Sequence, residues 1–228
     1  FKTELLDKII GINGHLNINF SSKNFDENNF LNILNSEKNI KSFKKIIDGQ
    51  GLLSVKNQST GILIKGISKH DISILKKDKK KILINEDFVF NKDSVIIGEK
   101  LRNRFNLQSG DKFKIIIPKN TSTPFGSIPK VKTFIVGGVF DSGMYTYDNN
   151  LVFINYFNAE KLFITENNKP YFQIEFFDIE KVDLFKEKIR EANLKNYQLY
   201  DWRYSNEAFF NAIQTEKNVM FLILSLII

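Results

Sequence analysis

The chain has 228 residues, of which 42% are hydrophobic and 26% charged, with a net charge of +7. This length suits one large domain or two small ones, and the composition is that of a globular protein rather than a disordered one. There is no cysteine, which excludes disulfides, thiolate nucleophiles and cysteine metal sites. The lysines are scattered, and even the run KKDKKK at 76–81 contains an aspartate, so no nucleic-acid partner is expected.

In chain order, ELLDKII at 4–10 spaces Leu5, Leu6, Ile9 and Ile10 on one helical face, and Gly11 ends it. GHLNINF then alternates Leu16, Ile18 and Phe20 as a half-buried strand, and Asp26 is placed to cap a helix that turns Phe30, Ile33 and Leu34 inward. NIKSFKKII spaces Ile40, Phe43, Ile46 and Ile47 as a second helix. GLLSVKNQSTGILIKGIS reads as two strands around a polar turn at 57–60.

The middle of the chain changes character. SVIIGEKLRNRFNLQSGDKFKIIIP reads as strand, short helix, turn and strand, with Leu101 and Phe105 on the helix face. VKTFIVGGVF is another strand, followed by a polar loop, a strand at 151–154 and a helix starting near Asn158. The first pattern then returns. YFQIEFFD is a strand, and the next helix carries Val182, Phe185, Ile189 and Ala192 on one side. YQLYDW is a strand. From Asn206 the spacing is helical, and the sequence becomes apolar throughout in VMFLILSLII. A membrane span takes about 20 apolar residues, so this run is read as the start of one.

Catalytic constellations are scarce. His15 and His70 are far apart in sequence, neither sits beside a nucleophile motif, and two separated histidines without cysteine do not make a zinc site. No phosphate-binding GxxxxGK[ST] loop is present. No catalytic residue, metal or cofactor is expected. The conspicuous feature is PKNTSTPFGSIPK at 118–130, which holds Pro118, Pro124 and Pro129 of the chain's four prolines together with Phe125 and Ile128. Pro124 and Pro129 restrict their own backbone angles and those of Thr123 and Ile128. A loop stiffened in advance loses less entropy when gripped, and apolar side chains held out on it have the character of binding anchors.

These stretches together resemble the LolC/LolE family, the membrane subunits of the lipoprotein-releasing ABC transporter. FKTELLDKIIGINGHL is similar to the segment after that family's first membrane helix. TPFGSIPKVKTFIVGGVFDSGMYTYDNNLVFI carries its central pattern, and DWRYSNEAFFNAIQTEKNVMFLILSLII its return to the second membrane helix. IIGEKLRNRFNLQSGDKFKIIIP is similar more broadly to the macrolide-exporter-like superfamily.

The resemblance implies an α+β fold: a discontinuous porter-like α/β subdomain at 1–66 and 168–217, with an inserted, mostly-β, sabre-like subdomain at 67–167. Residues 218–228 would begin the second transmembrane helix. It implies a periplasmic domain of an inner-membrane protein, with no enzymatic activity of its own. Its partners would be a separate LolD-type cytoplasmic ATPase, a second membrane subunit or a copy of itself, the lipoprotein substrate, and a LolA-type carrier gripped by a hook loop at 119–130. The hook motif falls on Thr123, Pro124, Phe125, Gly126, Ile128 and Pro129. The accompanying pad falls on Lys114, Val131 and Lys132, where Val131 departs from the polar residue of the family pattern. The alternative is another transporter of the superfamily, an exporter or a cell-division regulator.

Overall fold

The computed structural model describes residues 12–20, 25–77, 83–85, 87, 89–118, 129–165, 168–192, 194, 196–205 and 207–227. The expected helix at 4–10 lies outside them. Strand β1 (Leu16–Phe20) buries alternate residues, as its sequence alternates. It lies between β9 (Tyr171–Phe176) and β10 (Tyr197–Asp201), antiparallel to both. The first part of the long strand β2 (Ile40–Val55) completes a four-stranded layer by pairing with β9.

Two helices cover one face of that layer. One is α1 (Glu27–Ser36), whose N-cap Asp26 side chain accepts from the Asn29 backbone N–H at 3.0 Å. The other, α6 (Val182–Glu191), comes from far along the chain and turns Val182, Phe185 and Ile189 inward. Phe30 and Phe172 meet edge to face at 5.0 Å within this core, which also holds Leu16, Ile18 and Ile174.

The stretch at 40–47 is strand, not the helix its spacing predicts. Its isoleucines favour extended backbone, and Gly49 and Gly51 follow immediately. Adjacent Ile46 and Ile47 are both buried because the strand passes there from the layer into a second assembly. In that assembly β2 pairs with β3 (Gln58–Ile67), β3 with β8 (Leu151–Asn155), and β8 with β5 (Ser94–Gly98). From there β5 pairs with β7 (Lys130–Asp141), β7 with β6 (Lys112–Ile117), and β6 with β2 again at 52–54. Six strands therefore close a ring, and closure leaves no free edge among them. The strand pairing takes the ring back to residue 47, so the β2–β3 hairpin lies in it, on the other side of the boundary expected at 66/67.

Leu53, Ile62, Ile64, Val95, Ile97, Phe113, Ile115, Phe134, Val152 and Ile154 fill the ring. Helix α5 (Tyr156–Phe163) packs into this same core. It begins two residues before Asn158, where the Asn155 side chain caps the Phe157 N–H at 3.0 Å. The approach is close: a Cβ on Gly66 would stand 2.1 Å from that of Ala159, and one on Gly49 would stand 2.3 Å from the Phe163 ring. Helix α2 (Lys69–Lys77) and short β4 (Leu83–Ile84) cover the outside of β5, β7 and β8, burying Ile96, Phe140 and Phe153 against Ile72 and Leu75. With both faces covered, β5 is apolar at every central position rather than alternating.

Helix α3 (Glu99–Phe105) follows β5 as the sequence suggests. The polar loop expected after β7 instead contains a short helix, α4 (Tyr145–Asn150). Buried Asp148 fastens it, accepting from the Ser142 backbone N–H at 2.8 Å and its hydroxyl at 2.7 Å. After β10 come α7 (Trp202–Ser205) and α8 (Glu207–Ile227). Along α8, Val219 to Leu224 and Leu226 are exposed. Among the described residues no helix is long and apolar enough to cross a membrane.

Candidate functional site

The proline loop is mounted on a rigid base. Strands β6 and β7 pair antiparallel from Lys112 opposite Ile135 up to Ile117 opposite Lys130, at the loop's two roots. Both strands are walls of the ring, and their inward side chains Phe113, Ile115 and Phe134 are buried. Of the expected hook residues, Pro129 is described and exposed, immediately before β7. Thr123, Pro124, Phe125, Gly126 and Ile128 lie outside the described residues.

The three expected pad residues divide between the two faces of this hairpin. Lys114 stands opposite Thr133 and Val131 opposite Ile116, and directly opposed antiparallel residues share a face. That is the outer face, since Lys114 and Val131 are exposed while their neighbours Phe113, Ile115 and Phe134 point inward. Lys132 stands opposite buried Ile115 and turns the other way. Its amine donates to Asn158 Oδ1 at 2.5 Å, lies 3.5 Å from the Asp93 carboxylate, and sits over the Phe134 ring at 5.2 Å. The structure thus brings Lys114 and Val131 together and separates Lys132 from them.

The outer face carries an apolar row that strand alternation alone does not reveal, because it forms only when distant strands pair. Leu52 opposes Ile116, which opposes Val131, and Leu63 is diagonal to Leu52 across β2 and β3. Leu52, Leu63 and Val131 are 43%, 40% and 55% exposed. Beside them is a surface cavity of about 450 Å³ lined by Leu52, Gly61, Leu63 and Pro118. Pro118 is the first residue of the proline-rich stretch, so the cavity adjoins the loop's other root.

The titratable groups support structure rather than chemistry. His15 is buried, and its Nδ1 accepts from the Phe176 backbone N–H at 2.8 Å. His70 is exposed on α2. Lys65 is buried on β3, opposite Asp48 of β2, close to where β2 enters the ring. Its amine donates to the Ile12 carbonyl at 3.1 Å and to Asn13 Oδ1 at 2.8 Å. Burial depresses its pKa to about 8, against the opposing pull of Asp48. Asn13 also hydrogen-bonds the Tyr147 hydroxyl, while the Tyr171 hydroxyl donates to Asp48 Oδ2 at 3.0 Å. This polar cluster ties the segment entering β1 to the ring. Among the described residues no three histidine, cysteine or carboxylate groups gather as a metal site would require.

No protein-family model matches the chain. Its whole length aligns with the lipoprotein-releasing system transmembrane protein LolC of Neisseria meningitidis at 27% identity over 232 residues, 56% of that protein. It aligns with the LolC of Xylella fastidiosa at 21% identity over 233 residues, 55% of that protein. With the LolC of Haemophilus influenzae, 77% of the chain aligns with 43% of the relative at 26% identity. The chain therefore spans little more than half the length of the curated relatives it matches. Among solved structures, the periplasmic region of MacB from Actinobacillus actinomycetemcomitans has a TM-score of 0.53 at 13% identity, covering 91% of this chain and 98% of that one. The fold is thus that of a MacB-like periplasmic region, in accord with the α+β expectation. The resemblance to the LolC/LolE family is borne out by the LolC relatives.

Proposed function

We propose that this chain is the periplasmic domain of a lipoprotein-releasing transporter subunit of the LolC kind, and that it passes lipoproteins to a LolA-type carrier docked on the proline loop. The observation that carries the reading is the alignment of the whole chain with LolC proteins. The paired hairpin that ends at the loop's roots supports it. In this reading Pro124, Phe125 and Ile128 are apolar anchors that a partner covers, with Thr123, Gly126 and Pro129 shaping the loop around them. A few such anchors carry most of the affinity of an interface, each contributing on the order of 1–3 kcal/mol. Lys114 and Val131 lie on the outer face of the hairpin that leads to the loop, while Lys132 acts through α5.

The apolar end of α8 begins a membrane span in this reading, since a helix apolar on all sides is stable when something covers every side. Residues 206–227 then relay motion of the membrane helices to the layer. ATP is hydrolysed on a separate LolD-type subunit, the membrane part is completed by a second subunit or a second copy, and the protein resides in the inner membrane.

Capture of a LolA-type carrier by the full-length protein tests the proposal. Phe125→Asp is expected to weaken capture by roughly tenfold or more. Equal capture by wild type and variant would remove the loop from the interface.

A further inference from the structure

We infer that the outward face of α5 is a second docking surface, built for an acidic face of a protein partner and centred on Phe157 between Lys92 and Lys161. This deepens the proposed carrier docking and rests on it. Helix α5 turns Asn158, Ala159 and Phe163 inward. Its opposite face carries Phe157 and Lys161 one turn apart, and Ile164 follows in extended backbone just past the helix end; all three are exposed, with Phe157 45% and Ile164 42% accessible. The Lys161 amine lies 4.3 Å and the Lys92 amine 5.7 Å from the centre of the Phe157 ring. An exposed aromatic ring flanked by two ammonium groups gives an apolar anchor with a positive rim.

The surface is held rigidly, which lowers the entropy lost on binding. Gly49 and Gly66 let α5 sit directly on β2 and β3. The Asn158 side chain bonds both the Lys92 carbonyl and the Lys132 amine. Lys130, the residue after Pro129, donates from its amine to the Lys161 and Leu162 carbonyls at 3.2 and 3.0 Å. The root of the proline loop is therefore fastened to this helix, and one partner can touch both. Of the neighbouring acids, Asp93 is 3.5 Å from the Lys132 amine and Glu160 stands on α5 beside Lys161. Lys92, Lys130, Lys132 and Lys161 outnumber them, so the complementary surface is acidic.

A protein fits better than a lipid headgroup. The apolar helix α8 leaves the layer after its outermost strand β10, whereas α5 packs on β2 and β3. Strands β1, β9 and β2 stand between β10 and β3 in the strand order, so this surface and the apolar helix are attached to different parts of the molecule.

The test measures binding of a LolA-type carrier to the full-length protein at low and high salt. Reversing both charges (Lys92→Glu with Lys161→Glu) is expected to slow association about tenfold at low salt, with the difference shrinking at high salt. Phe157→Ser is expected to speed dissociation several-fold. These side chains are exposed, so wild-type melting is expected in both, and Lys92→Gln with Lys161→Gln provides a milder variant with an intermediate rate. Unchanged rates in all variants, while Phe125→Asp still weakens capture, would overturn this surface and leave the loop reading intact. Failure of the wild type to bind the carrier would overturn both. Capture of the wild type, but not the charge-reversed variant, by vesicles of phosphatidylglycerol and phosphatidylcholine, with unaltered carrier binding, would assign the surface to lipid and overturn the proposal.

Discussion

The four-stranded layer and the six-stranded ring share strand β2 and differ in how they stay closed. The layer is assembled from both ends of the sequence. It buries one face under α1 and α6 and ends at β10, an outer strand. The ring closes on itself, fills its interior with side chains, and is covered outside on β5, β7 and β8. Each arrangement leaves a different outlet. From β10 the layer continues into α8, whose terminal apolar side chains are exposed. The ring has no edge to guard, so its uncovered wall can present Leu52, Leu63, Val131 and the roots of the proline loop. A closed scaffold supports an exposed apolar surface without offering free strand edges for aggregation.

If the two regions are separate packing units joined by β2, a cavity in one should loosen that one first. Phe134→Ala in the ring is expected to cost about 3–5 kcal/mol. Amide exchange should accelerate across β5, β6 and β7 before it does in β1 and β9. Phe30→Ala in the layer should give a comparable cost with the reverse pattern. Uniform acceleration in both variants would show a single cooperative unit instead.

A smaller effect concerns the seam. Lys65 has a folded pKa of about 8 against an ordinary value of 10.5. Between those values the unfolded chain binds more protons, so stability rises with pH across that window; below about 8 the cost of burying the charge is fully present. Relative to Lys65→Met, the wild type is therefore expected to gain roughly 1–2 kcal/mol between pH 7.5 and 9.5. Chemical denaturation of both proteins at the two pH values measures this, and a constant difference would contradict the buried charge.

Much of the layer was legible because its signals are local. The alternation in Leu16, Ile18 and Phe20, the Asp26 cap and the inward stripe of Val182, Phe185 and Ile189 each report on a single element. The stretch at 40–47 misled because Ile40, Phe43, Ile46 and Ile47 satisfy a helical period, while the burial of adjacent Ile46 and Ile47 comes from two different surroundings. Ring closure was not legible. It depends on β6 meeting β2, and on β8 running parallel to β3 across more than eighty residues of intervening sequence, neither of which has a local signature. At the site, the proline spacing marked the loop, but alternation along β7 was not used to separate Lys132 from Val131. The α5 surface was missed too, although Phe157 and Lys161 stand opposite Ala159 and Phe163 on a helical period.

In the proposed function, a carrier docks on the ring through its proline loop, while the layer serves the membrane side. A photo-crosslinking residue placed at position 125 of the full-length protein, and separately at exposed Leu184 on the layer, tests this most directly. A carrier adduct is expected from position 125 and none from position 184; adducts from 184 alone, or equally from both, would remove the proline loop as the docking site.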